Sequence, residues 1–484
     1  MSKVKSILQY LNSLSPAAKA SFWFVVSNVM LKGISFITTP IFTRILNVAD
    51  YGTTSVFVTW ECVISIFATL SLSGGVYNVA MTKFEEDIEA FTSSMIGLTA
   101  LSSSLTYALC MAINYWIPSL FQLEQSFLFY MWIQTFANAI TSFWMMRKRF
   151  EYKYKSVITY TFANSLVSPV IAIIAIYLFP ENRAYAKIVG AGVLAIAIGF
   201  YIGAKTLFRG KKFYQKTYWN YALKFNIPLI PHYLSSIILG SSDRLMINYF
   251  CGSAQAGIYS IANSITGLIG IVTESINYSL IPYTLQAIKK RTIDRLYRVV
   301  SGCVMLVSII CIFVILFARE GIMLFATRDY IAAVGFIAPL AFSTQLAFIS
   351  GLLGNILFYY EQTKFMSLIT MVTALVNVVL NVVGIQLWGY IAAGYTTLFS
   401  SFLRLVLYYL CVRKFEKDID EILNLKWIFM IFTVFIIAMV LSIAFNNNMV
   451  VKMIIIVVVF AVVFFFRKTI VQMITTMLEK KKED

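Results

Sequence analysis

About fourteen apolar stretches, most of them of 20 residues or more, follow one another along this chain. A stretch of that length is what a helix needs to cross the roughly 30 Å hydrocarbon core of a bilayer. No water is present there to receive backbone N–H and C=O groups, so a spanning segment satisfies them internally, as a helix does. The expected spans run 21–45, 52–79, 93–117, 122–146, 157–179, 185–206, 228–250, 256–282, 299–318, 331–358, 365–387, 390–411, 427–445 and 450–466. Their connections are short and leave no room for a soluble domain. Composition agrees: 60% of residues are hydrophobic and 13% charged, against about 25% charged in a soluble domain. The chain reads as an all-α, multi-pass membrane protein.

The charges give the orientation. Of 39 Lys and Arg residues, only Arg44, Arg183, Lys187, Arg319, Arg328 and Lys452 collect at one side of the membrane, while Lys32, Arg244 and Arg404 lie within spans. All others sit with the termini on the opposite side. Basic loops stay cytoplasmic, so both termini are expected there. The net charge of +17 therefore reads as topology and contact with anionic membrane lipids, and nucleic acid is not an expected partner. The six cysteines are scattered singly through apolar segments, which suits packing and not a disulfide framework. His232 is the only histidine, so no metal site is expected. The basic N-terminal segment lacks a cleavage site, and no removed signal peptide is expected.

A weak duplication organises the chain. Asp50–Phe57 (DYGTTSVF) aligns with Gln255–Ala262 (QAGIYSIA), which places Gly52 on Gly257; Lys153–Thr159 (KYKSVIT) aligns with Lys364–Thr370 (KFMSLIT). The sixth and twelfth spans share Gly192 and Gly394. Six spans repeated after an even number of crossings give two halves of the same orientation, related by an axis along the membrane normal. The expected layout is a six-helix lobe over 1–210, a second over 211–415, a central cavity between them, and two additional helices with a basic tail over 416–484.

Ionisable groups inside spans cost about 2.5–3.5 kcal/mol each and are functional candidates for that reason. Here they are Lys32, Glu61, Asp243, Arg244, Glu274 and Arg404. The charges do not repeat: Lys32 corresponds to Ile237, Glu61 to Thr266, and Glu274 to Thr69. That asymmetry points to halves that handle different parts of one cargo. The competing reading is local pairing, for instance of Lys32 with Glu61 across adjacent helices. Arg404, near the cytoplasmic end of its span, has snorkelling as its other reading. Asp243 and Arg244 are adjacent and diverge around a helix, so each is expected to have another partner. Asn377 and Asn381 lie one turn apart on one face, which points to interhelical hydrogen bonding. On the fourth span Trp132, Gln134, Asn138, Ser142 and Trp144 read either as cavity lining or as an interfacial belt. Pro40 and Pro231 are hinge candidates, since proline frees a carbonyl and permits bending; Pro231 is equally suited to a first helical turn.

The segment SNVMLKGISFITTPIFTRILNVADYGTTSVFVTW at Ser27–Trp60 resembles the opening of bacterial polysaccharide flippases of the O-antigen (Wzx-like) type. The same resemblance continues in NIPLIPHYLSSIILGSSDRLMI at Asn226–Ile247 and AGIYSIAN at Ala256–Asn263, and extends over about residues 20–415. It implies membership of the multidrug/oligosaccharidyl-lipid/polysaccharide exporter superfamily. It implies, too, transport of an undecaprenyl-pyrophosphate-linked oligosaccharide, an O-antigen or capsule unit, across the bacterial inner membrane by alternating access. No catalytic residues and no bound cofactor are expected under that reading, with H+ or Na+ as the coupling ion and other glycan-assembly proteins as partners. Lys32, Arg244 and Arg404 are then the candidates for the substrate phosphates, and Glu61, Asp243 and Glu274 for ion coupling or charge pairing. Pro40, Asn138 and Pro231 are the cavity or hinge candidates. Alternatives are a cation-coupled multidrug exporter, a lipid II flippase, and, from a different class, a membrane glycan polymerase. The polymerase reading lacks a large external loop or acidic catalytic motif; the drug-exporter reading lacks a carboxylate in the first span, where Lys32 stands.

Overall fold

A computed structural model describes residues 33–151 and 153–416 together with Trp23, Thr433, Ile437 and Lys452. Lys32 lies outside the described residues, as do nearly all of the last two expected spans. Among the described residues every regular element is helical. Nine of the helices are long and apolar enough to cross a membrane.

The described chain packs as two units: residues up to Ile237 with Gly252–Gly257, and Ile238–Cys251 with residues from Ile258 onward. The division falls inside a helix, later than the expected 210/211.

The first unit holds α1 (described over 33–45), α2 (Val48–Thr69), α3 (Val76–Lys83), α4 (Ile88–Trp116), α5 (Gln125–Phe150), α6 (Tyr154–Leu178), α7 (Arg183–Gly210) and α8 (Lys216–Asn226). Helix α2 starts where the side chain of Asn47 accepts a hydrogen bond from the Asp50 N–H at 2.7 Å, which satisfies one of the orphan donors of the first turn. The second expected span, 52–79, is not one helix. It stops at Leu70, whose φ of 50° is left-handed, and restarts at Val76. The break is held by fully buried Asn226 at the end of α8. Its Nδ2 donates to the Leu70 carbonyl at 2.7 Å, and its Oδ1 accepts from the Val76 N–H at 2.8 Å. Two backbone groups freed by the break thus regain partners, which a buried backbone requires. Tyr218, Ala222 and Asn226 form the buried stripe of α8, with Tyr218 edge-on to Phe84 and Phe91 at 5.1 and 5.2 Å.

The second unit is built on the later part of α9 (Ile230–Cys251), α10 (Ser253–Lys289), α11 (Ile293–Leu316), α12 (Val334–Tyr359), α13 (Thr363–Trp388) and α14 (Ala392–Val412). Nearly all of α12 from Phe336 to Leu357 is buried, as befits a helix apolar on every side. Cys303, Val307 and Cys311 of α11 pack with Leu346, Ile349 and Leu353 of α12 in its core. All six cysteines are free thiols.

Repeat-related glycines play like roles. A Cβ on Gly192 would fall on Tyr130 and Gln134 of α5, and one on Gly394 would lie 3.1 Å from Pro339 of α12. The sixth span thus packs closely on the fourth, and the twelfth on the tenth, each within its own unit, as small residues allow in membrane helices. Within the first unit, a Cβ on Gly52 would strike the Ser253 carbonyl, and one on Gly257 would sit 2.6 Å from the Val48 carbonyl.

Candidate functional site

Each unit holds a carboxylate among neutral hydrogen-bond donors, half-buried Glu61 in the first and buried Asp243 in the second. In the first, Glu61 projects from α2 toward α5. Gln134 Nε2 donates to both carboxylate oxygens at 3.1 and 3.0 Å, and Asn138 Nδ2 donates to one at 3.3 Å. Gln134 and Asn138 are four residues apart, so α5 presents both amides on one face. The sequence offers them as cavity lining or as part of an interfacial belt; in the structure both donate to Glu61. The rest of that stripe divides: Ser142 donates to its own helix at the Asn138 carbonyl, Trp132 packs on Phe129, and Trp144 meets Tyr160 of α6. Pairing of Glu61 with Lys32 falls outside the described residues.

In the second unit, buried Asp243 of α9 is reached from three further helices. Tyr259 Oη of α10 donates at 2.5 Å, Asn381 Nδ2 of α13 at 2.6 Å, and Thr397 Oγ1 of α14 at 2.7 Å. A second ring ties these together. Asn377 donates to Thr397 at 3.3 Å and accepts from Asn381 at 3.1 Å, while Thr396 donates to the side-chain Oδ1 of Asn381. The interhelical role expected for Asn377 and Asn381 is therefore met, with Asp243 as the partner at its centre. A buried carboxylate is tolerable when its lone pairs are filled in this way.

The remaining candidates are not gathered there. Arg244, the next residue along α9, acts on Asp243 as a nearby charge. Arg404 lies two turns beyond Thr397 along α14, half-buried, with its Nε making no hydrogen bond among the described residues. Glu274 of α10 lies on a separate small cavity of about 280 Å³ with Asn277, Thr344 and Gly351; Asn277 accepts from Asn355 at 2.8 Å. Pro40 lies within α1, where its carbonyl accepts from Arg44 at 2.7 Å. Pro231 is the second residue of α9, in the first turn where the missing N–H costs nothing.

Lys187 was not singled out by the sequence, which counts it only among the charges of the sparsely basic side. It lies in the first turns of α7, donates to Thr54 at 2.9 Å, and has the rings of Phe42 and Tyr51 within 4.8 and 4.7 Å. This is a cation held by π faces and one hydroxyl. Its only sequence signal was its place four residues after Arg183 at the start of an apolar helix.

Spanning helices in two units, each with a carboxylate held by amides or hydroxyls, define a multi-pass helical membrane protein. Solved structures bear out the fold. A lipid II flippase, MurJ, in an inward closed conformation matches with a TM-score of 0.62 and 14% identity, over 92% of this chain and 99% of that one. An inward-facing multidrug resistance MATE transporter of the MOP superfamily matches with a TM-score of 0.60 and 14% identity, over 79% and 93%. In sequence, residues 17–288 match the family described as polysaccharide biosynthesis protein, and residues 228–383 match MatE. The chain belongs to the polysaccharide biosynthesis protein family. Among its relatives, protein 1 of the Lsg locus of Haemophilus influenzae is 20% identical over 74% of this chain and 89% of its own length.

Proposed function

We propose that the protein is a flippase carrying an undecaprenyl-pyrophosphate-linked oligosaccharide from the cytoplasmic to the outer leaflet of a bacterial inner membrane by ion-coupled alternating access. The observation that carries the coupling half of this reading is the Asp243 cluster. One carboxylate, the carboxamides of Asn377 and Asn381, and the hydroxyls of Tyr259, Thr396 and Thr397 converge from four helices. Such a set offers only hard oxygen and amide groups, which suits H+ or Na+ and not a thiophilic or imidazole-seeking metal. Asp243, Asn377 and Asn381 would hold the ion, with the hydroxyls completing the set. One charge crossing the membrane potential supplies about 2.3 kcal/mol per 100 mV, which biases a two-state equilibrium about fifty-fold.

The family match supports a glycan-bearing cargo. A polyprenyl tail remains in lipid while the diphosphate and sugar enter a hydrated cavity. Lys32, Arg244 and Arg404 are the proposed cations for the diphosphate, in line with cationic recognition of phosphate. Lys32→Ala is expected to abolish glycan export while the protein stays in the membrane. The test is a count of lipid-linked units on the inner leaflet and of surface glycan after complementation with the variant. Undiminished export would remove Lys32 from the mechanism. The breadth of the likeness to a lipid II flippase favours that cargo as the second reading. Accumulation of lipid II, and not of a longer lipid-linked glycan, on deletion would select it.

A further inference from the structure

A cavity of about 770 Å³ opens in the first unit where the end of α5, the start of α6 and the end of α7 meet. It is separate from both carboxylate clusters. Its lining carries Arg147, Lys148, Lys153, Lys155, Lys205 and Arg209 against Glu89 and Glu151 alone, an excess of four positive charges. The two acids are already engaged: Glu151 pairs with Arg147, Lys148 and Lys153 at 2.9 Å each, and Glu89 with Arg147 at 3.3 Å. Lys155 and Lys205 are exposed and make no ion pair among the described residues. The start of α6 has no side-chain cap, and Lys155 and Ser156 of its first turn line the cavity, so first-turn N–H groups lie beside the free cations. A helix N-terminus with adjacent cations is a phosphate site in kind.

The wall changes character along the helices. Trp144, Tyr160 and Tyr201 follow the cations, then Ala163 and Ile198. Beside it, Leu166, Val170 and Phe200 of α6 and α7 are exposed, on helices apolar enough to span. A soluble anion needs no apolar floor; a lipid needs both ends. We infer that this cavity binds the phosphate headgroup of an anionic lipid, with its chain along α6 and α7. Basic pockets between spanning helices on the cytoplasmic side are suited to such headgroups, and the Lys and Arg bias of the loops assigns this end of the unit to that side. The inference does not depend on what cargo the protein carries.

The test uses the full chain in detergent, with retained dioleoyl-phosphatidylglycerol read by native mass spectrometry. Wild type is expected to retain it, and Lys155→Gln/Lys205→Gln to bind it at least about tenfold more weakly, consistent with roughly 1 kcal/mol per cation near a phosphate lipid. Lys155→Arg/Lys205→Arg is expected to restore retention. Lys289→Gln/Lys290→Gln, in the other unit and outside the cavity, is expected to leave it unchanged. Equal retention by the cavity and control variants overturns the assignment, as does equal retention of phosphatidylcholine. Competitors identify the source. Displacement by farnesyl diphosphate at matched concentration supports a site that reads phosphate on any lipid, and failure to displace supports a phospholipid. Inorganic diphosphate binding as tightly as the lipid would overturn the lipid assignment.

Discussion

Asp243 receives three hydrogen bonds from three helices, and its replacement separates packing from chemistry. Asp243→Ala leaves buried donors without an acceptor, at about 1–3 kcal/mol for each. A fall in the thermal midpoint of the purified protein is expected, larger than for the near-isosteric Asp243→Asn. A midpoint equal to wild type for the alanine variant would mean that the cluster does not hold the helices. Glu151 gives a pH signature outside the spans. Its partial burial raises the carboxyl, but Lys153, Lys148 and Arg147 outweigh that and hold it down to about 2, from an ordinary 4.5. A depressed acid contributes stability that is fully present above the ordinary value and is lost as pH falls through the folded one. The loss is therefore expected between about pH 4.5 and pH 2, and amounts to about 1 kcal/mol after solvent screening. Thermal midpoints across that window should fall more steeply for wild type than for Glu151→Gln; parallel curves would contradict the pairing. At this scale the i,i+4 spacing of Asn377 and Asn381 made their interhelical role legible. Their partner was not, because Asp243 stands 138 residues from Asn381 and only the fold brings them together. Lys187 escaped for a related reason: its aromatic neighbours come from other helices.

Among the helices, apolar length alone revealed most spans but not where a span breaks. The run after Thr69 carries no proline, and the two ends of its interruption at Leu70–Gly75 find their partner in Asn226, contributed by α8 about 150 residues later. Asn226→Ala would orphan the Val76 N–H and the Leu70 carbonyl together, at about 2–4 kcal/mol. The expected result is a lowered thermal midpoint and faster proteolysis in the 70–76 turn; an unchanged digestion pattern would show that the break holds itself. The contact at Gly52 is a second such point. A side chain there meets the Ser253 carbonyl, so Gly52→Val should destabilise by about 1–3 kcal/mol, seen as a lower midpoint or lower membrane yield. Wild-type behaviour would mean that α2 and α10 separate without cost. The repeat had aligned Gly52 with Gly257, and sequence offsets showed the equivalence without showing why both had to be small.

For the whole molecule, composition and span count were enough for class and fold, since a chain of this hydropathy has few places to go but a bilayer. The family followed from residues 17–288. The sites were less legible: charges in spans announced candidates, yet Asp243 and Glu61 take their hydrogen bonds from neutral groups, while Lys155 and Lys205, without an ion pair among the described residues, lie at the end of the first unit. The proposed transport is coupled through Asp243. The direct test is reconstitution of the protein into vesicles holding a fluorescent polyprenyl-diphosphate oligosaccharide, with its movement between leaflets followed under an imposed proton or sodium gradient. Movement is expected that one gradient accelerates and that Asp243→Asn makes gradient-independent. Movement no faster than in empty vesicles, or equally gradient-driven in the variant, would contradict it.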